Sequence, residues 1–202
     1  MFTFARRIAF GVCCVCAIFS SCTPPNNVAT PTAEFSSMGT EVSVRNLTAD
    51  SEDRFTLLSL ENKTIVPNSD SATTKWDIGF RKTTIIVNGG KIRVGRGGIQ
   101  RLQNQKFDAL KEAPQNGYRG DDAEDNLALT AKSGESWYLY SGTSITPLKD
   151  VILVVRTGNG QNFAKIEIQS YYKDKVEPSI TAPTRYYSFR YQVQTNGSRL
   201  FQ

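Results

Sequence analysis

Residues 186–193 read Tyr-Tyr-Ser-Phe-Arg-Tyr-Gln-Val, with Tyr187, Phe189, Tyr191 and Val193 on one parity and Tyr186, Ser188, Arg190 and Gln192 on the other. A period of two collects apolar side chains on one face only in an extended strand; wound into a helix, the same residues would scatter around the axis. The pattern recurs along the chain. Val42 and Val44 alternate with polar neighbours, Trp76, Ile78 and Phe80 alternate with Asp77 and Gly79, and Ile166 and Ile168 are set against Lys165, Glu167 and Gln169. Phe55–Leu60 is a short apolar segment, Thr83–Val87 is β-branched throughout, and Val151–Thr157 is a continuous apolar run suited to a central buried strand. Turn residues punctuate these runs. Asn88-Gly89-Gly90 predicts a return strand over Lys91–Val94, Gly158-Asn159-Gly160 predicts a hairpin between Val151–Thr157 and Phe163–Tyr171, and Asn196-Gly197 leads into a short last strand, Arg199–Phe201. Helical signal is thin: Gln103–Glu112 reads as one short helix, with Phe107 and Leu110 three apart and Pro114 as its stop. The fold class expected is all-β, a single, predominantly antiparallel domain of about ten strands.

The N-terminus carries an address. Arg6 and Arg7 precede an apolar run from Ile8 to Phe19, too short for a membrane-spanning helix of about twenty residues and fitting the core of an export signal. The run ends in Phe19-Ser20-Ser21-Cys22, which resembles a bacterial lipobox with Phe19 where Leu is more usual. Residues 1–21 are therefore read as a lipoprotein signal peptide and Cys22 as the lipidation site, which places the chain on a membrane of the cell envelope through its lipid anchor. The other cysteines, Cys13, Cys14 and Cys16, lie inside the signal, so the mature chain has no cysteine pair and depends on its core alone. Residues 22–40, Pro-, Asn-, Thr- and Ser-rich at first, read as a flexible tether, and 41–202 as the β domain. Without Arg6 and Arg7 the 24 basic residues become 22 against 19 acidic ones. So mild an excess, on an exported chain, argues against a nucleic-acid partner.

The count of His is 0, which removes Ser-His-Asp and Cys-His nucleophile activation and His-ligated metal sites. Gly89–Gly98 is rich in Gly and holds Lys91, Arg93 and Arg96, but Ile92 after Lys91 and Gln100 where a third Gly is needed break both phosphate-loop spacings. It reads as a solvated turn, with a ligand-facing loop left open. Asp122, Glu124 and Asn126 alternate like calcium ligands, yet Leu127 occupies the required Gly position, so Tyr118–Asn126 reads as an acidic surface loop. Trp137, Tyr138, Tyr140, Tyr171, Tyr172, Tyr186, Tyr187, Phe189 and Tyr191 concentrate in the C-terminal half. Most are expected in the core, while strand alternation would send one of each Tyr-Tyr pair outward. No catalytic residues stand out, and the chain is expected not to be an enzyme.

The order of several pieces resembles the HmuY family of bacterial haem-binding outer-membrane lipoproteins. These are Trp76-Asp77-Ile78-Gly79-Phe80, Asn88-Gly89-Gly90, Trp137-Tyr138-Leu139-Tyr140, Pro147, Val151–Gly158, Ala164-Lys165-Ile166, Ser170-Tyr171-Tyr172-Lys173, Tyr186-Tyr187-Ser188-Phe189 and Gly197-Ser198. The resemblance implies an all-β domain that holds haem in a cleft, captures it from host haemoproteins and passes it to an outer-membrane receptor. It also implies an axial iron ligand, His or Met, within the stretch that here is Ser141–Thr146, which contains neither. The ligand-binding candidates are accordingly Tyr138, Tyr140 and Ser144, for haem or a porphyrin held without a His/Met pair; the same fold binding a protein partner or a glycan is the alternative.

The anchor is directly testable. Acyl chains bind a bilayer with about 0.8 kcal/mol per buried methylene. Cys22→Ala should therefore move the chain from the membrane to the soluble fraction and abolish labelling by radioactive palmitate.

Overall fold

A computed structural model describes residues 29–202; the signal segment, Cys22 and the first part of the tether lie outside the described residues. The strands are β1 (Glu34–Met38), β2 (Glu41–Thr48), β3 (Thr56–Ser59), β4 (Thr64–Val66), β5 (Ile78–Arg81), β6 (Thr84–Val87), β7 (Gly98–Gln103), β8 (Tyr138–Tyr140), β9 (Ile145–Pro147), β10 (Val151–Arg156), β11 (Phe163–Tyr172) and β12 (Thr184–Gln194). They form a six-stranded sheet in the order β1-β2-β12-β11-β10-β7, a four-stranded sheet β4-β3-β5-β6 and the hairpin β8-β9. Every strand pairing is antiparallel. Among the described residues helix is limited to the short 3-10 turns Asn68–Asp70 and Lys173–Lys175, and none is long and apolar enough to cross a membrane.

The two larger sheets face each other. Val42 and Val44 of β2, Leu153 and Val155 of β10, Ile166 and Ile168 of β11, and Tyr187, Phe189 and Tyr191 of β12 meet Leu58, Ile78, Phe80 and Ile85 of the smaller sheet in one buried cluster. Phe80 sits at the seam, its ring 4.9 Å from Tyr187 and stacked 5.5 Å from Phe189. The opposite parity of β10, Ile152 and Val154, packs with Phe107, Leu110, Ala113 and Phe201. β10 is thus covered on both faces, which is why its sequence is apolar without alternation.

Several expectations are corrected by these contacts. Glu34–Met38, placed in the tether by its polar sequence, pairs with β2 from Glu34↔Arg45 to Met38↔Glu41, so the ordered fold begins before residue 41. Gln103–Glu112 forms no α-helix. Its carbonyls are taken by other partners: the buried Lys165 amine donates to Phe107 O and Leu110 O, each at 2.9 Å, while Ala113 N–H donates to Arg199 O and Phe201 N–H to Lys111 O at 2.8 Å. Phe107 and Leu110 are buried as their spacing implies, but on an irregular segment tied to residues 199–201, which form a bridge to Glu112 rather than a sheet strand. Lys91–Val94 makes no return strand either, because its ladder groups are satisfied by loops. Ile92 N–H donates to Asp121 O at 3.2 Å, and Gly97 N–H to Asn88 O at 2.8 Å. The hairpin β10–β11, with Leu153↔Ile166 in register, forms as the sequence indicates.

The loops hang on buried polar side chains. Asp77 accepts from Leu60 N–H at 2.8 Å and Gly158 N–H at 2.7 Å, joining both sheets. Asp121, which the acidic loop reading left in solvent, is fully buried and accepts from Val87 N–H at 3.1 Å and Ala128 N–H at 3.0 Å. Asn88 donates to the carbonyls of Thr73 and Trp76, each at 2.8 Å.

Burial raises the Asp77 carboxyl from 3.8 to about 6 against the lowering effect of its Gly158 and Leu60 bonds. A carboxyl whose folded value is raised binds its proton more tightly folded than unfolded. Its contribution to stability is therefore greatest below about pH 4 and is lost as pH rises to about 6, by roughly 2–3 kcal/mol. Urea midpoints from pH 4 to 7 should show this decline in the wild type, and Asp77→Asn should flatten it; an unchanged slope in the variant would contradict the assignment.

Candidate functional site

Trp137 anchors the candidate region. It is buried, donates its indole N–H to Thr83 O at 2.9 Å, and packs 4.9 Å from both Tyr138 and Tyr187. The chain leaves Trp137 into the β8–β9 hairpin, paired Tyr138↔Pro147, Leu139↔Thr146 and Tyr140↔Ile145. The hairpin lies on the main sheet through Ile145, whose side chain packs on the core and whose N–H donates to the Tyr172 hydroxyl at 2.9 Å. Tyr172 ends β11, and the 3-10 turn Lys173–Lys175 follows at once. That turn is pinned to β2: Asp174 N–H donates to Asn46 Oδ1 and Asn46 Nδ2 donates to Asp174 Oδ1, both at 2.8 Å. Lys173 N–H donates to Pro183 O at 3.0 Å, pinching the loop between them at its base. The hairpin and the 173–183 loop therefore meet at one end of the six-stranded sheet.

The sequence candidates separate here. Tyr138 is buried and donates its hydroxyl to Ala131 O at 2.6 Å, so it belongs to the core. Tyr140 is 55% exposed at the hairpin tip, its hydroxyl donating to Gly142 O at 2.7 Å. Ser144 is half-buried in the same tip, its hydroxyl 2.9 Å from that of Ser141. The structure keeps Tyr140 and Ser144 together and turns Tyr138 away from them. Leu139 is also exposed, as are Val176 and Ile180 on the 173–183 loop, which sequence reasoning passed over. Two prolines, Pro178 and Pro183, in a stretch without alternation were the signal that a long loop intervenes.

The remaining tyrosines are not surface ligands. Tyr171 and Tyr172 are both buried, because register shifts between Ile168, Ser170 and Tyr172 break the alternation that would have sent one of them outward. The hydroxyls of Tyr187 and Tyr191 donate to Lys82 O and Leu60 O, and burial raises the phenols of Tyr171, Tyr187 and Tyr191 above their ordinary range. Tyr186 is half-buried beneath the Lys173 amine, 5.7 Å from its ring centre. Met38 lies at the far end of β1 from Glu34, and it is Glu34 that contacts Asn46 beside the Lys173–Lys175 turn. The residues present thus do not fit a haem iron held by a His or Met pair. They offer instead exposed apolar side chains, one exposed phenol at Tyr140, and the amines of Lys173 and Lys175. Among the described residues no group of three or more His, Cys, Asp or Glu side chains could hold a metal ion. Asn126 and Glu124, read for calcium, face Arg119 and Arg93.

An antiparallel two-sheet domain with an exposed aromatic hairpin on one end is a scaffold that presents loops from a rigid core. A family model described as HmuY protein matches residues 51–191, and the chain belongs to the HmuY family. No curated protein matches the sequence.

Tyr172→Phe would remove the acceptor of Ile145 N–H at a cost of about 1 kcal/mol. Hydrogen exchange of the β8–β9 amides should quicken in this variant while the amides of β11 and β12 keep their protection.

Proposed function

We propose that this protein is a non-enzymatic, lipid-anchored protein of the bacterial cell envelope. In this reading it takes haem or a related porphyrin at the end formed by the β8–β9 hairpin and the 173–183 loop, without a His/Met axial pair, for delivery to an outer-membrane receptor. Membership of the HmuY family supports this reading, and one observation carries the location. Of the large apolar residues exposed in the described chain, Leu139, Tyr140, Val176 and Ile180 lie on the two segments that meet at Tyr172. Apolar side chains left in water on pinned loops mark a surface that a partner covers. A porphyrin ring is apolar across its faces and anionic at its propionates, and Lys173 and Lys175, just before Val176 in the chain, supply cations to pair with them.

A protein partner or a glycan at the same end is the second reading. It is favoured by the openness of the region: Tyr140 is 55% exposed and its hydroxyl turns back onto Gly142 O within the hairpin tip.

Haemin titration of the chain starting after Cys22, followed at the Soret band, decides between them. Saturable binding at micromolar haemin is expected, weakened about tenfold or more when Leu139 and Ile180 are both changed to Asp. Tyr140→Phe should alter the haemin spectrum yet leave binding of metal-free protoporphyrin intact. Absence of saturable haemin binding would reject the porphyrin reading and leave the second.

A further inference from the structure

The glycine-rich stretch after β6 and the turn after β10 build a second feature, at the other end of the molecule. β11 begins beside this turn and ends at Tyr172, so its ten residues separate the two regions by roughly 30 Å. A groove of about 450 Å³ lies here, lined by Gly90, Arg96, Gly97, Arg156, Asn159, Gly160 and Gln161.

Its charge is unusual for this protein. Other half-buried arginines have acceptors: Arg93 is paired with Asp121 and Glu124 and Arg190 with Glu41, Asp108 and Glu167, while Arg81 donates to Asp53 O and Arg101 to Ser136 O and Gly134 O. Among the described residues neither Arg96 nor Arg156 has a carboxylate within ion-pair distance. Arg156, the last residue of β10, is half-buried, with its guanidinium 5.7 Å above the Tyr118 ring. Its Nε is buried and has no hydrogen-bond partner among the described residues. A buried guanidinium nitrogen without an acceptor is costly, and such an atom in a native fold calls for a ligand or an ordered solvent group. Glu61, which touches the groove through Asn159, accepts from the side-chain amides of Asn159 at 3.3 Å and Asn162 at 2.8 Å.

The walls are shaped for close approach. Gly160 has φ +77°, and a Cβ there would lie 2.9 Å from the Arg96 Cβ, so only glycine lets the turn and the Arg96 segment come together. Gly90 has φ +95°, and a Cβ there would strike the Asp121 carbonyl at 2.3 Å.

We propose that this groove is an oxyanion site that takes a phosphate group between the Arg96 and Arg156 guanidiniums. Two unanswered cations match a group carrying about −1.5 to −2 charges with several acceptor oxygens better than a singly charged carboxylate. The broken phosphate-loop spacing of residues 89–98 does not oppose this. The donors are guanidinium groups from two segments, not the successive backbone amides of a helix-capping loop.

Calorimetric titration of the full chain in detergent with inorganic phosphate, and with acetate as the carboxylate control, tests the site. Saturable phosphate binding is expected, with acetate much weaker and the amide resonances of Gly90, Gly97 and Gly160 shifting on addition. Arg156→Gln and, separately, the exposed Arg96→Gln should each weaken binding about tenfold. Arg156→Lys should recover part of the loss, since it restores charge but not the planar fork. Competition by vesicles containing phosphatidic acid would identify a lipid headgroup as the source, and no competition would identify soluble phosphate; either supports the site. Lack of saturable phosphate binding, equal binding of acetate, or full binding in a folded Arg96→Gln variant would overturn it.

Discussion

The fold depends on the aromatic seam where β12 meets the smaller sheet. Phe80 contacts both Tyr187 and Phe189, Tyr187 in turn contacts Trp137 and Tyr171, and Phe189 contacts Tyr191. All the cysteines lie at or before residue 22, so no disulfide ties the described sheets together. Burial of large side chains must offset the chain entropy. Tyrosine fills this role well because its ring buries apolar area while its hydroxyl can reach a carbonyl at the edge of the core, as Tyr187 and Tyr191 do with Lys82 and Leu60.

Around that seam the connections are held by a few buried polar side chains. At one end Asp77, Asn88 and Asp121 accept and donate bonds for loops that have no ladder of their own. At the other end Asn46 and the Tyr172 hydroxyl hold the Lys173–Lys175 turn and the β8–β9 hairpin. A porphyrin-binding end and a phosphate-binding end would then be separated by the length of β11. Each is built from loops whose bases are fixed while their tips face solvent, the usual arrangement for recognition on a rigid scaffold.

Much of this order was legible in the residues. The parity of residues 187–193 identified the buried face of β12, and the apolar run from Val151 with its Gly-Asn-Gly turn identified the hairpin with β11. The Trp-Tyr-Leu-Tyr motif marked the segment that carries Tyr140 and Ser144, but not its pairing into a hairpin. The fate of Tyr138 was not, because Tyr138 and Tyr140 share a parity and only the loop carrying Ala131 distinguishes a covered ring from an open one. Glu34–Met38 was missed for a related reason. An edge strand with one half-buried side chain, Phe35, shows almost no apolar period and exists because β2 offers it a ladder.

Periodicity and turn chemistry are local, and they sufficed to specify many of the strands, where some of them reverse, and that the domain is all-β. Long-range assembly settled the rest: the bulge that buries both Tyr171 and Tyr172, the capture of the Phe107 and Leu110 carbonyls by Lys165, and the placing of Arg96 and Arg156 on one groove. Each joins groups far apart in the chain. Whether a polar atom there finds a partner, or is left without one, depends on which backbone is brought beside it.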